Sequence, residues 1–361
     1  MKIFVSIITF NSENYIEACL SSLLKQEGFS FGDNLKLQIV DNASTDDTQN
    51  KLKELNAKYK FDTLLNDVNL GFCAAQNQSF SAFLETDFEY FLMLNPDLTL
   101  TKTSLKTMVS SFSLNKEIGL VTPRILRADK DLNPIVPLKI DAAGMKLSKS
   151  WRHFDRGSSE YEENNYTNTE IVFGGTGACL LIKRESGIDC LLSSENTKSL
   201  FKVHPELELN FSKRKQLLNE AFFAFREDAE FAFRANALGW KCCYQAEAIA
   251  YHKRTVLPEN RDKLSSFINS LSVRNRFQLQ IIHFQFSQGV MPFLLGVLLR
   301  NLFVVFAVIF FERNSLAGLK EVLTLFSRCL NIRKDIYSKS KARDINSVNW
   351  FAFEKKDLNA I

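Results

Sequence analysis

Four times in the first third of the chain, an apolar run of strand length gives way to a polar loop and then to helical spacing. Few folds accommodate that alternation. Ile3 to Phe10 breaks at Asn11-Ser12, and Ser12 with Tyr15, Ile16, Leu20, Leu23 and Leu24 predicts a capped helix. Leu35 to Val40 leads into a helix over Thr48 to Tyr59, and Thr63 to Leu65 into one over Ala74 to Leu84. Glu89 to Leu94 is a strand rich in aromatic and aliphatic side chains, followed by a helix over Leu105 to Ser113. Repeated strand–helix units with near-continuous apolar strands predict an α/β fold with a mostly parallel, doubly wound sheet covered on both faces.

The strand ends carry the chemistry. Asn11, Asp41 with Asn42, and Asp97 each follow an apolar run, at the carboxyl edge where open α/β sheets bind ligands. Asn95-Pro96-Asp97 would also serve as an ordinary turn, since proline ends a ladder and these residue types favour turns. Three such loops on one edge make a site. The first strand–helix turn, Thr9-Phe-Asn-Ser-Glu13, lacks G-x-G-x-x-G, and no G-x-x-x-x-G-K-[ST] occurs. A phosphate would therefore be handled without a glycine cradle. A divalent cation on Asp97 is the natural means, because Mg²⁺ is usually held by one or two carboxylates plus the substrate's phosphates.

The formal net charge of +4 gives no support for a nucleic-acid partner. Seven cysteines, including the vicinal Cys242-Cys243, match neither a disulfide framework nor a zinc site and are read as reduced, buried thiols. The reduced thiols predict a cytosolic protein, and the amino-terminal apolar run, too short for a secretory signal, is read as the first strand.

Phe173-Gly-Gly-Thr-Gly-Ala178 either lets a ligand approach the backbone or simply turns the chain into the next strand. Glu227-Asp228 opens a helix flanked by Phe222, Phe223, Phe225, Phe231 and Phe233. The helix amino end would keep such acids ionised, whether for catalysis or only as favourable first-turn residues. Val290 to Phe311 is mostly apolar but is interrupted by Pro292, Gly296, Arg300 and Asn301. It suits two short segments in a membrane interface, with Arg313, Lys320, Arg328, Arg333 and Lys334 alongside. A homo-oligomer interface or a helical pack on the domain would account for it equally well.

Taken in order, Val5-Ser-Ile-Ile-Thr-Phe-Asn11, Val40-Asp-Asn-Ala-Ser-Thr-Asp46, Asn69-Leu-Gly-Phe72 with Asn77, and Leu94-Asn-Pro-Asp97 resemble a family 2 glycosyltransferase of the GT-A fold. Phe173 to Ala178, Phe222 to Asp228, Gly239-Trp240 and His252 extend the match, which is most similar to bacterial rhamnosyltransferase-like members. The resemblance implies a transferase domain over 1–280 and a helical region over 281–361. Residues 1–115 would form the nucleotide-sugar half and residues 116–280 the acceptor half. Thr9, Asn11, Asp41, Asn42, Gly71, Asn77, Asn95 and Asp97 would line the donor, and Gly175, Thr176, Gly177 and Trp240 the acceptor. Asn95-Pro-Asp97 stands where the family has D-x-D, so Asp97 would hold Mg²⁺ or Mn²⁺. His252 would be a late ligand, although a lone histidine is more often a satisfied imidazole. Asp228 would be the general base, supported by Glu227.

About twenty residues, 193–215, are inserted relative to that pattern and are expected to form a polar surface loop or lid. The expected activity is inverting, metal-dependent transfer from a nucleoside-diphosphate sugar to a glycan or lipid-linked hydroxyl in cell-surface polysaccharide synthesis. The branch favours rhamnose, and the enzyme would sit on the inner face of the cytoplasmic membrane. A sugar nucleotidyltransferase would want a glycine- and arginine-rich loop after the first strand, and a non-catalytic scaffold would have lost its acids.

Overall fold

The computed structural model describes residues 1–163, 165–193, 197–254, 265–286 and 289–342. The first half contains β1 (Ile3–Thr9), α1 (Ile16–Leu23), β2 (Leu35–Asp41), α2 (Thr48–Tyr59), β3 (Asp62–Leu65), α3 (Gly71–Leu84), β4 (Tyr90–Leu94), β5 (Leu98–Leu100) and α4 (Ser104–Ser110). Next come β6 (Ile118–Arg127), β7 (Ile140–Ala142), β8 (Met145–Leu147), β9 (His153–Asp155), β10 (Glu170–Val172) and β11 (Cys179–Lys183). They lead into α5 (Arg184–Asp189), α6 (Lys198–Val203), α7 (Glu227–Ala237), β12 (Lys241–His252), α8 (Ser266–His283), α9 (Arg300–Phe310) and α10 (Leu316–Ala342).

The main sheet runs β10-β12-β6-β11-β4-β1-β2-β3, with β5 added to β12 and β7 to β6. The β4-β1-β2-β3 part is parallel, as the alternation predicts. β1 and β4 are buried on both faces, Phe4, Phe91 and Met93 entering one hydrophobic cluster and Ile3, Val5, Ile7, Leu92 and Leu94 the other, while the edge strand β3 is exposed. The period-two pleat sends successive side chains to opposite sides. Phe4, Phe80, Phe83 and Phe91 form an aromatic cluster under α3, with ring centroids 5.1 to 6.0 Å apart.

Beyond β4 the sheet is mixed, because β11 lies antiparallel to both β4 and β6. That reversal places the loop before β11 directly over the end of β4. Two local readings change. Ser12 does not cap α1: its hydroxyl accepts from the Phe10 amide, and the helix begins at Ile16. The chain after Pro96 resumes at once as β5, paired with the end of β12, Leu98 opposite His252.

The insertion is not a free loop or lid. Its described part is a compact helical plug in which Leu200, Leu207 and Phe211 are buried. Arg214 is buried too and forks onto Glu220, with Nε to Oε1 at 2.8 Å and Nη2 to Oε2 at 3.0 Å. Polar composition misled here because Arg214 pairs inward and the apolar side chains anchor the plug, while Lys202, Glu208, Lys213 and Lys215 stay exposed. All seven cysteines are buried and free.

α8 and α10 pack closely on each other and on the domain. Gly318 meets Ser270 so tightly that a Cβ would come within 2.5 Å of its carbonyl oxygen, and Arg274 reaches Glu321 at 2.8 Å. Between them, a π-helical stretch at 292–299 runs into α9, where Val308 is the buried residue and Phe303 is 72% exposed. Within 290–311, Gly296, Asn301 and Val308 pack on the domain, while Phe303, Phe306 and Phe310 are exposed. Among the described residues, no single helix is long and apolar enough to cross a membrane. The Gly296–Phe310 and Arg313–Lys341 segments meet at 113°.

Candidate active site

Register puts the strand ends level. Thr9 is opposite Asp41, and Ile7 is opposite Leu94, so the loops after β1, β2 and β4 leave one sheet edge. Asp41 is fully buried and accepts from Thr9 Oγ1 (2.9 Å), the Ser44 amide (3.0 Å), Ser44 Oγ and Gln49 Nε2 (2.8 Å). Asn11, at φ 54°, is exposed, and its Oδ1 accepts from the Thr45 amide at 2.8 Å. Asn42 accepts from the Leu70 amide and donates to Asn69, fixing the turn into α3. Gly71 is at φ +79°, and a Cβ there would strike the Phe223 ring at 2.6 Å. Thr9, Asn11, Asp41, Asn42 and Gly71 thus form one hydrogen-bonded rim.

Asn77 lies away from that rim. It is buried and exchanges hydrogen bonds with the Leu218 backbone and Glu220, which ties α3 to the link before α7. Trp240 also lies apart, beyond the carboxyl end of α7 from the acids, donating to Asp189 at 2.9 Å.

Asp97 follows the turn at Asn95-Pro96, and the β5–β12 pairing delivers His252 to it: Nε2 lies 3.3 Å from Asp97 Oδ1. The other ring nitrogen is 2.8 Å from Asp141 Oδ2. Asp141 is 2% exposed and also faces Arg127 (3.6 Å) and Arg254 (3.5 Å), while Arg254 pairs with Asp155 at 2.6 Å. Burial works against a charged imidazole, yet the hydrogen bonds to Asp141 and Asp97 outweigh it and lift His252 to about 9. Burial opposes ionisation of Asp141 as well, but its hydrogen bond to His252 and the nearby arginines hold it below the usual carboxylate range.

The residues fit a divalent cation. Asp141 holds Nδ1, so a cation that displaced the proton between Nε2 and Asp97 would meet the imidazole and the carboxylate together. A carboxylate behind a histidine is the usual outer partner of a metal-binding imidazole. Among the described residues no cluster of three acidic, histidine or cysteine ligands occurs. Asp97 and His252 would supply two donors to such an ion, leaving the remaining positions for phosphate and water.

The second acid pair is tied to this edge by the glycine-rich loop. The Asn95 amide donates to Ala178 O at 2.8 Å, and the adjacent Gly177 amide donates to Asp228 Oδ2 at 3.2 Å. Gly175 is packed on Thr122, where a Cβ would come within 2.6 Å, and Thr176 Oγ1 accepts from the Ala178 amide. A Cβ on Gly177 would lie 3.7 Å from both Asp228 Cβ and Glu227 Oε1, so this glycine lines the acids.

The expectation that the helix end would keep these acids ionised is not met. Burial and the charge of Asp228 push Glu227 up to about 8. Burial also raises Asp228, although it accepts from the Gly177 and Ala229 amides. Glu227 Oε2 is buried without a hydrogen-bond partner among the described residues. The two carboxylates therefore compete for a proton, and the Gly177 and Ala229 amides favour the charged form of Asp228 over that of Glu227. Desolvation outweighs the helix end because two carboxylates share one dry position.

The loop feeding these acids is strained. Phe223, Phe225 and Arg226 all have φ between 63° and 70°. From α8, the Asn275 amide reaches the carbonyls of Phe222, Ala224 and Phe225 at 2.8 to 2.9 Å, which holds the strained conformation. Sequence reasoning missed Asn275, Asp155 and Arg254, and it assigned no chemistry to Asp141. A carboxylate within the apolar run Ile140-Asp-Ala-Ala143 was the one readable signal, since buried charges need partners.

The sequence model described as Glycosyl transferase family 2 matches residues 4–187, just over half of the 361-residue chain. No curated protein matches in sequence. The fold is similar to that of GalNAc-T7, whose crystal structure holds UDP, GalNAc and Mn²⁺, with TM-score 0.54 and 13% identity over 78% of this chain. The chain spans 48% of that chain's length. Also similar are the mannosyltransferase PcManGT from Pyrobaculum calidifontis with GDP-Man and Mn²⁺ (TM-score 0.48, 13% identity, 96% of this chain and 87% of that one) and S. aureus TarS 1-349 with UDP-GlcNAc (0.45, 16%, 96% and 93%).

Proposed function

The chain belongs to glycosyl transferase family 2, and on that premise we propose that it moves a sugar, with inversion, from a nucleoside diphosphate to a hydroxyl of a glycan or lipid-linked acceptor. The observation carrying this reading is the Gly177–Asp228 hydrogen bond. It joins a base to the edge where Asp97 and His252 meet.

Asp97 and His252 would hold a divalent cation, Mg²⁺ or Mn²⁺, with Asp141 orienting the imidazole. When bound, such an ion offsets the charge of the leaving diphosphate. The rim around Asp41 and Asn42 would receive base and ribose. Asp228 takes the proton of the acceptor hydroxyl while its oxygen bonds to the anomeric carbon. The bond from that carbon to the diphosphate oxygen breaks, and the electron pair leaves with the nucleoside diphosphate. A raised carboxylate is the better base near neutral pH, a contribution of roughly 10²–10⁴-fold. Glu227, holding its proton, can donate to an acceptor oxygen and so orient it.

Residues 1–280 serve as the transferase unit, with 1–115 for the donor and 116–280 for the acceptor. Motif resemblance supports deoxythymidine diphosphate-rhamnose as first donor and uridine diphosphate sugars next, for a polysaccharide built at a membrane surface. The test is incubation with Mn²⁺ and a panel of nucleotide sugars while nucleoside diphosphate release is followed. Release by the native chain and its loss in Asp97→Ala are expected. No release from any donor, together with unchanged nucleotide binding by Asp97→Ala, overturns the reading.

A further inference from the structure

The segment from 290 to 311 exposes a row of large apolar side chains. Leu302, Phe303, Phe306, Phe310 and Phe311 are 52–78% exposed. The row starts where it is pinned to the transferase unit: Gly296 lies on the Ser150 backbone, and a Cβ there would meet it at 2.8 Å. Arg276 donates to Asn301 Oδ1 at 3.0 Å and to the Gly296 carbonyl at 3.4 Å, and Asn301 donates to Gln280 at 2.7 Å.

Arginines gather at this junction. Arg276 is 7% exposed, and among the described residues no carboxylate pairs with it. Burial, with the charges of Arg300, Arg226 and Arg152, draws its pKa down to about 9. Burial and the charges of Arg226, Arg276 and Arg152 likewise draw His153 down to about 3. Arg300 Nε is buried without a hydrogen-bond partner among the described residues, and the Arg152 side chain is exposed. Like charges held together are costly, and an anion relieves that cost. Arg226 immediately precedes Glu227, so the cluster adjoins the acid pair.

We propose that Arg152, Arg276 and Arg300 receive the phosphate of a lipid-linked acceptor whose hydrocarbon chain enters a membrane along the exposed face of the 290–311 segment. This rests on the transferase reading and names its acceptor as an anionic lipid. The charge argues for that occupant. A soluble anion would leave the apolar row unexplained, and a second copy of the chain packed on this row would bring a second set of arginines to the first. Apolar side chains flanked by basic ones suit an anionic lipid surface.

The test is flotation of the full chain with vesicles of phosphatidylcholine alone, with phosphatidylglycerol at matched charge, or with a long-chain polyprenyl diphosphate. Strongest flotation is expected with the polyprenyl diphosphate. Arg152→Ala/Arg300→Ala should weaken that flotation roughly 30-fold, about a factor of five for each arginine. Inorganic pyrophosphate should compete with the native chain. Phe303→Ser/Phe306→Ser/Phe310→Ser should stay in solution with every vesicle while its thermal unfolding and nucleotide binding are unchanged. Equal flotation with all three vesicles, or with the phosphatidylglycerol and polyprenyl vesicles alike, overturns the phosphate site. A chain that never floats and runs as a dimer assigns the row to a second copy. Nucleotide-sugar hydrolysis in the same samples separates the two readings: a chain that floats selectively but never hydrolyses a donor keeps the lipid site and loses the transferase.

Discussion

The first turn of α7 treats its carboxylates in opposite ways. Glu230 is fully buried. Arg234 forks onto it at 2.6 and 3.1 Å, and His283 Nε2 lies 3.3 Å away. Burial opposes its ionisation, but Arg234 and His283 prevail and bring it to about 2. Three residues earlier, Glu227 is as dry but has a second carboxylate in place of an arginine, and burial lifts it to about 8. One helix thus carries an acid held ionised by an arginine fork and an acid pair in which burial prevails, although Arg254 and Arg226 draw Asp228 down. The fold gives Asp228 two amide donors but leaves Glu227 Oε2 without a hydrogen-bond partner among the described residues.

The comparison breaks most visibly if the acid pair proves inert. Asp228→Asn should reduce transfer by roughly 10²–10⁴-fold with nucleotide binding intact, as steady-state rates and calorimetric titration would reveal. A near-native rate would reduce the pair to first-turn acids.

On the ion-paired side, Glu230→Gln should leave transfer chemistry alone and cost about 3–5 kcal/mol of stability, because Arg234 would then be buried without its counter-charge. Denaturant unfolding measures this, and a loss below about 1 kcal/mol would mean the ion pair does not hold α7 in place.

Asp141→Asn tests whether an ion-paired carboxylate can also serve the site from behind. Cation-dependent nucleotide binding should weaken roughly 10–100-fold, with far less effect on cation-free binding. An equal loss in both would assign Asp141 to folding alone.

Acidity sharpens the contrast at the smallest amplitude. Glu230 has a folded value below its ordinary 4.5, so the stability it contributes is present above 4.5 and fades as pH falls toward 2. Glu227 has a folded value above 4.5, so its burial costs stability progressively as pH rises from 4.5 to about 8. Glu227→Gln should therefore flatten the alkaline side of the stability profile, and Glu230→Gln the acid side. Unfolding midpoints between pH 3 and pH 9 would show the exchange, and identical profiles for the two variants would remove the distinction.

By itself the sequence determined the layered α/β architecture, since apolar runs of strand length alternating with helical spacing leave few ways to bury both sheet faces. It also determined which loops carry acids, because Asp41, Asp97 and Glu227-Asp228 all follow recognisable element boundaries. Only the tertiary structure decided how those acids behave. Antiparallel β11 brings Gly177 to Asp228, and β5 against β12 brings His252 to Asp97. Neither pairing has a local signal, because ladder partners far apart in sequence are chosen by packing. The insertion read as solvated for the same reason: composition counts the charges of Arg214 and Glu220, but only the fold shows that they face each other in the interior. Protonation of Glu227 was likewise illegible, since a pKa is set by distance and dryness, which a sequence does not record.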